Sequence, residues 1–399
     1  MANFEAVDRI EPALLGDLPG RVSDVVTELA AEAAVLGRSL HPKTAANLAD
    51  VVRILNTYYS NLIEGHNTKP REIERALAGQ FDDDEAQRNL QVEAAAHVRV
   101  QSLIDRQAAD GSLPEAATRD FIVWTHAEFY KDASDAMLQV RGKDRTLRML
   151  PGEWRSLPEH DNVVGRHIPP SSRRVDDFMR HFSNRYRMAS LGAAGRIAAV
   201  PAAHHRFNYI HPFMDGNGRV SRLMSHAMCL KAGIGAHGLW SISRGLARGS
   251  KPGPEGRAEY KQMMSHADAP RQGDLDGRGN LSEKALVDFS VWFLDVCLDQ
   301  VRFMAGMFEL ASLAERLTEL VRQSDDLPEE AARLLTEVLV RGEVERGEAP
   351  RITGLPERSA RRVLNRTIAA GLLASETPKG PISLRFPAST LDVLFPRLF

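Results

Sequence analysis

Twelve consecutive residues, His211-Pro212-Phe213-Met214-Asp215-Gly216-Asn217-Gly218-Arg219-Val220-Ser221-Arg222, hold the groups that phosphate chemistry needs. Gly216 and Gly218 let backbone N–H groups approach a phosphate with no Cβ in the way. The helical pattern that starts near Arg219 adds partial positive charge behind them, so the loop is a ready anion site. Arg219 and Arg222 are three residues apart, share one helical face and can grip successive phosphates. Asp215 offers a hard carboxylate oxygen suited to Mg²⁺, the ion that phosphate substrates bring with them. His211, just upstream, is a neutral imidazole able to take a proton from an attacking hydroxyl. Together these parts suit phosphoryl or nucleotidyl transfer.

A second stretch, Ser60-Asn61-Leu62-Ile63-Glu64-Gly65, closes a helical pattern that begins near Thr44. Glu64 falls in the last turn, where an anion faces the negative end of the helix dipole and needs a cation to approach it. Ser60 is one turn earlier on the same face, and Gly65 is a natural helix stop.

The elements that position these groups read as helices almost throughout. Apolar residues recur at three- and four-residue steps over Val22–Leu36, Thr44–Ile63, Glu85–Arg106, Pro114–Tyr130, Val175–Arg187, Gly192–Phe207, Arg219–Ala232 and Ser282–Ser324. Two stretches break the pattern: Gln139–Pro170 reads as an irregular loop with a short hairpin, and Gly249–Asn280 as irregular chain around a short helix, Gly256–Ala267. Asp274-Leu275-Asp276-Gly277 has a superficial Ca²⁺-loop spacing, but no Glu stands at the twelfth position, so that reading is rejected. His204 and His205 lie on the helix that enters the motif and read as structural.

The tail differs. Pro328–Val340 and Leu355–Ala370 read as helices, followed by strands over Leu372–Ser375 and Ile382–Phe386 around a turn that carries Lys379. Helix, helix, hairpin is the order of a winged helix. Arg358, Arg361, Arg362 and Arg366 share one face of the second helix and could contact DNA, although Glu343, Glu345 and Glu348 nearby dilute the charge.

The chain of 399 residues is long enough for several domains, and its 43% hydrophobic content supports sizeable cores. The formal charge of −2 argues against a whole-protein grip on nucleic acid or anionic membrane. Cys229 and Cys297, the two cysteines, sit in apolar helical patterns and read as buried thiols. The start of the chain has no basic and apolar leader pattern, and no segment is long and apolar enough for a membrane span, so a cytoplasmic protein is expected.

The segment His211–Arg222 resembles the Fic family motif, HxFx(D/E)GNGRxxR, at every defined position. The resemblance implies a predominantly helical, all-α fold with a short β-hairpin flap, and an activity that moves AMP from ATP to a Ser, Thr or Tyr hydroxyl of a target protein. It implies that His211 is the base, that Asp215 holds Mg²⁺, that Gly216, Asn217 and Gly218 form the anion hole, and that Arg219 and Arg222 hold the β- and γ-phosphates. The segment Gly152-Glu153-Trp154-Arg155 with Val163, Val164, Gly165, Arg166 and His167 resembles the family's flap, which aligns a target peptide by strand addition. The stretch from Ser60 to Gly65 resembles the family's (S/T)xxxE(G/N) inhibitory motif, which implies that Glu64 pairs with Arg222 and blocks the γ-phosphate. Some relatives remove AMP instead, and a DNA-binding regulator with a nucleotide-sensing module is a further alternative; a homodimer is a family expectation. The expected division is an N-terminal helical region (1–110), a Fic core (111–270), trailing helices (271–325) and a winged-helix domain (326–399).

Overall fold

The computed structural model describes residues 6–142, 145–249 and 256–399. Met1–Glu5 and parts of the two irregular stretches (143–144 and 250–255) lie outside the described residues. The N-terminal part contains α1 (Gly20–Arg38), α2 (Pro42–Glu64), α3 (Pro70–Leu77), α4 (Glu85–Ala109) and α5 (Arg119–Phe129). A hairpin of β1 (Gln139–Arg141) and β2 (Thr146–Arg148) follows, pairing Val140 with Leu147. Then come α6 (Val175–Arg185), α7 (Ala193–Ile210), α8 (Asn217–Lys231), α9 (Ile242–Arg248), α10 (Gly256–Ala267), α11 (Glu283–Met307) and α12 (Leu310–Arg322). The tail is α13 (Ala331–Arg341), β3 (Glu343–Val344), α14 (Ala349–Thr353), α15 (Glu357–Ala369), β4 (Leu373–Ala374), β5 (Ile382–Leu384) and α16 (Leu391–Leu394). Its three strands form one antiparallel sheet in the order β3-β5-β4. No helix among the described residues is long and apolar enough to cross a membrane.

Several boundaries differ from the sequence expectation, each for a local reason. The expected helix Pro114–Tyr130 starts only at Arg119, because Thr118 turns its hydroxyl back to cap Phe121 N–H. The long periodicity Ser282–Ser324 is two helices. Glu309 breaks it by accepting from Ser312 N–H at 2.7 Å and Ala311 N–H at 3.1 Å, which starts α12 afresh. The short α3 was not expected; it is begun by Pro70 at its first position, with Glu72 reaching back to Lys69 N–H. In the tail, β3 and α14 precede the expected helix and hairpin.

α7 lies at the centre. Its residues from Ile197 to Phe207 are buried on every side, so its sequence shows little amphipathic contrast. It packs against α8 and α11, α1 lies along α11, and α2 lies along α9 and α4. One apolar cluster runs through all of them, from Ile10 through Leu55, Phe207 and Phe289 to Leu335 and Leu398.

The tail is packed directly on α2. Thr44 donates to Leu339 O at 2.8 Å, Arg385 to Asn47 Oδ1 at 3.1 Å, and Tyr59 to Leu398 O at 3.2 Å. Arg244 of α9 reinforces this end by donating to Leu398 O at 3.2 Å and Arg397 O at 3.0 Å. At the far end of α2, Gly65 takes φ +94° so that His66 N–H can reach back to Asn61 O at 2.9 Å. That cap ends the helix one residue after Glu64 and fixes where its carboxylate emerges.

α9 meets α11 at Gly245, where an added Cβ would lie 2.6 Å from Val296 Cγ1 and 2.8 Å from Gln300 Cγ. Helix propensity alone would make Gly245→Ala stabilising by about 1 kcal/mol. The contact should reverse the sign, so the variant is expected to lose roughly 1–3 kcal/mol through overpacking, read as a lower Tm. A variant that melts at or above the wild-type temperature would refute the close α9–α11 approach.

Candidate active site

α7 ends at Ile210, and His211 follows with φ 51° and ψ 60°, a left-handed conformation that a side chain normally avoids. Arg155 holds it there. Its guanidinium is buried and donates to His211 O at 2.7 Å and Ile210 O at 3.0 Å, while its backbone N–H donates to Pro212 O at 2.9 Å. It also reaches Ser172 Oγ at 3.2 Å and Asp161 Oδ1 at 3.1 Å. The Trp154 ring lies 4.7 Å from that of Phe213. Gly152–Arg155, expected within the flap, is therefore an anchor under the motif rather than an exposed strand. The reason is chemical: a fork of five donors is taken up by the bare carbonyls of this turn and of Pro170, with Asp161 and Ser172.

The loop is closed from within. Asn217 accepts from Phe213 N–H at 2.9 Å and donates to Phe213 O at 2.8 Å. It is thereby the first residue of α8, two positions before the expected start at Arg219. Gly216 is the N-cap at φ +81°, and the Tyr130 ring occupies the space a Cβ would need, 2.8 Å away. His126 stacks on Phe213 at 3.8 Å. Its Nδ1 accepts from Gly152 N–H at 2.8 Å, so Nε2 carries the proton and donates to Asp215 O at 3.2 Å.

Gly218 is inside the helix, so its value is not a left-handed backbone but a close approach. A Cβ there would lie 2.4 Å from Glu64 Oε1. The carboxylate of Glu64 thus rests over the first turn of α8, and the same oxygen accepts from Arg222 at 2.7 Å. Arg222 is buried and also donates to Ser60 Oγ at 3.0 Å and Ser60 O at 3.2 Å. Burial pushes the Glu64 carboxyl upward, but the guanidiniums of Arg222 and Arg219 outweigh it and hold it below its ordinary value. Ser60, Glu64, Gly218 and Arg222, read from two distant stretches of sequence, meet at one point.

Arg219 has a partner that the sequence did not reveal. Glu93 of α4 is buried and accepts from it at 2.7 Å, and His66 lies 3.3 Å from the same oxygen. Burial alone would raise Glu93, yet the charge of Arg219 and the bond from His66 bring it down to about 2. Arg219 Nε is left buried with no hydrogen-bond partner among the described residues. Asp215 is exposed; its Oδ1 accepts from Gly216 N–H at 2.6 Å and Arg219 at 3.2 Å, and Oδ2 has no hydrogen-bond partner among the described residues. This set fits one hard cation held by a single carboxylate and by phosphate oxygens of a ligand.

His211 is half-buried, and one ring nitrogen faces the Asn208 backbone. Desolvation first, then the charge of Arg155 and the neighbouring His167, lower its pKa to about 4. It is therefore neutral at pH 7, and the second nitrogen keeps its lone pair.

The remaining expected residues are placed as follows. Val164 and His167 pair across a two-residue turn at 2.9 Å, and Val163, Val164, Gly165 and Arg166 are exposed. His167 is turned inward, bonded to Tyr209 O at 2.7 Å. His204 bridges Ser225 Oγ at 2.9 Å and Tyr260 Oη at 2.7 Å, and His205 meets Met264 O at 3.0 Å, all inside the core. Asp276 accepts from Ser282 Oγ, Lys284 N–H and Gln272 N–H. Cys229 and Cys297 are buried and free.

Residues 116–229 match the family model described as Fic/DOC family. The chain carries a Fic/DOC domain. A protein adenylyltransferase Fic from Aedes aegypti is 39% identical over 72 residues, 18% of this chain and 14% of that protein. The protein of the same name from Drosophila erecta is 34% identical over 82 residues, 21% of this chain and 16% of that protein. The alignments thus span less than a fifth of those relatives. The fold is similar over a longer stretch. A Fic family protein from Desulfovibrio desulfuricans G20 superimposes with a TM-score of 0.52 at 16% identity, covering 93% of this chain and 98% of that one. A Fic domain containing signaling protein from Bacteroides thetaiotaomicron VPI-5482 gives 0.50 at 18% identity, covering 70% and 96%. The anchors Arg155, His126 and Tyr130 lie inside the matched domain, whereas Glu64 and Glu93 lie before it.

A depressed histidine pKa means that the fold resists protonation there. Its contribution to stability is complete above the unfolded value near 6.5 and is lost as pH falls through about 4. In an NMR titration of the free protein, the His211 ring signals should stay those of neutral imidazole down to about pH 5 and move near pH 4. A midpoint at 6.5 would show the ring to be solvated and free of Arg155.

Proposed function

We propose that this protein transfers AMP from ATP to a hydroxyl of a target protein and that Glu64 holds it in an inhibited state. The observation that carries the reading is the placement of one carboxylate, Glu64, over the N-terminus of α8 and against Arg222, beside a neutral His211. The relatives named adenylyltransferases supply the direction of the chemistry.

In this reading the nucleotide's phosphates lie over the first turn of α8, where Gly216, Asn217 and Gly218 present backbone N–H groups and the helix dipole favours negative charge. Arg219, held by Glu93, grips the β-phosphate. Arg222 is the natural partner of the γ-phosphate but is engaged by Glu64. The target's hydroxyl oxygen attacks the α-phosphorus, and its proton passes to the free nitrogen of His211. The bond from the α-phosphorus to the oxygen bridging to the β-phosphate breaks, and pyrophosphate leaves with that electron pair. Mg²⁺, with Asp215 as its protein ligand, would neutralise charge on the phosphates. The exposed turn at Val163–Arg166 is tied to α7 through the bond from His167 to Tyr209 O, and an extended target segment could pair along it.

Glu64 and a γ-phosphate compete for one guanidinium. Its removal leaves Arg222 buried with Ser60 as its hydrogen-bond partner and Tyr260 beside it. Losing one partner of a buried pair costs roughly 3–5 kcal/mol, and an anion arriving from solution offsets that cost. With Mg²⁺ and ATP labelled at the α-phosphate, Glu64→Gly is expected to label protein at least ~10-fold faster than wild type, a change of about 1.4 kcal/mol. Glu64→Gly/His211→Ala should label none. If Glu64→Gly labels no faster than wild type, autoinhibition is wrong. If label persists without His211, the assignment of the base is wrong.

A further inference from the structure

The tail helix α15 has two unlike faces. Ala360, Val363, Leu364 and Thr367 are buried, and its packing neighbours are α13, α14 and β4. The opposite face is exposed and carries Arg358, Arg361, Arg362, Asn365 and Arg366. Their spacing puts them on one stripe about 12 Å long at 1.5 Å per residue. With Ala369 they line a shallow groove of about 420 Å³.

Other arginines of the tail are spent within the protein. Arg341 and Arg351 each meet Glu348 at 2.8 Å, Arg346 donates to Gly380 O at 3.2 Å, and Arg385 to Asn47 at 3.1 Å. Glu348, which in the sequence dilutes the basic charge, is thereby turned to Arg341 and Arg351 and is no part of the stripe. On α15 only Glu357 offers a counter-charge. It meets Arg361 at 3.3 Å with both side chains more than 70% exposed, a pair worth little. Arg358, Arg362 and Arg366 have no ion-pair partner among the described residues. Three arginines four residues apart repel one another along the helix, and a regular polyanion would relieve that repulsion.

The surrounding architecture narrows the polyanion. α14 leads into α15 through the short turn at Gly354, which takes φ +73°, and the β4–β5 hairpin follows with Lys379 exposed on its loop. A helix packed on one side only, against α13, α14 and β4, with its other face exposed, fits the major groove of a duplex. Arginine and asparagine are the side chains that pair with guanine and adenine edges there, and Asn365 lies within the arginine stripe. We propose that α15 is a duplex-DNA-binding helix, seated in the major groove with Arg358, Arg361, Arg362, Asn365 and Arg366 toward it and the β4–β5 loop against the flanking backbone.

The proposal uses no residue of the catalytic site and stands or falls apart from the AMP-transfer reading. The test is fluorescence anisotropy of the full chain on a labelled mixed-sequence duplex of about twenty base pairs, titrated from 50 to 200 mM salt. About four phosphate contacts should weaken binding on the order of 10²-fold over that range. Arg361→Ala/Arg362→Ala is expected to bind at least ~10-fold more weakly with a salt slope shallower by about 1.8. Arg358→Ala/Arg366→Ala should behave alike, and Arg341→Ala should bind as wild type. The stripe is exposed, so both stripe variants should keep the wild-type melting temperature. No binding to duplex at 50 mM salt overturns the proposal, as does wild-type affinity in both stripe variants. Preference for polyglutamate or single-stranded RNA of equal charge over the duplex also overturns it, in favour of another anionic partner.

Discussion

Glu64 stands at the C-terminal end of α2, the end of a helix that repels an anion, and over the N-terminal end of α8, the end that attracts one. Two helix termini and one buried guanidinium share its charge. Much of the arrangement follows from making that meeting possible. α2 must stop one residue later, which the left-handed Gly65 ensures. Gly218 must lack a Cβ, since one would lie 2.4 Å from the carboxylate. Ser60 must be one turn back, so that Arg222 is held by Oγ and the backbone carbonyl even before Glu64 reaches it. In the proposed function, the carboxylate takes the place at the α8 terminus that a nucleotide phosphate would occupy.

The same constraint gives α2 a wider role. It is 23 residues long, and bonds to the tail are spread along it from Thr44 through Asn47 to Tyr59. The other faces pack on α4 and α9. Side chains on a helix so held have few ways to shift independently, because a packed core moves in discrete steps and not continuously. The position of Glu64 is therefore fixed by contacts up to thirty ångströms away along the helix axis, at about 1.5 Å per residue, and not by the loop that follows it.

How much of this the sequence discloses depends on whether partners are near one another along the chain. His211 to Arg222 is legible because base, acid, glycines and arginines fall in one loop whose geometry is local. Ser60 and Glu64 are legible as a pair for the same reason, one turn apart. Glu93, Arg155, His126 and Tyr130 are not, because each acts across 50 residues or more and carries no local pattern. Glu93 did leave a trace: it is a charged residue on the face of α4 where Ala94, His97 and Val100 are buried. Gly152–Arg155 resembles the family's flap in sequence, and nothing local shows that the arginine's donors would be taken up by His211 and Ile210. Helix limits failed where a side chain overrode periodicity, as Thr118 and Glu309 do by capping.

The two arginines of the motif show how one pairing chemistry yields two behaviours. Arg219 and Glu93 are both nearly inaccessible, with side chains 6% and 7% exposed, and Glu93 stays ionised down to about 2. Arg222 is just as buried at 1%, but Glu64 is 31% exposed. Water can solvate Glu64 when it leaves, whereas Glu93 has nowhere to go. Separating the first pair would strand two buried charges; separating the second strands only one, which in the proposed function a nucleotide phosphate would meet. Arg219 is consequently a fixed element of the site, and Arg222 is the one whose partner can change. The difference is set by burial of the acid alone, since both arginines rise from the same face of the same helix.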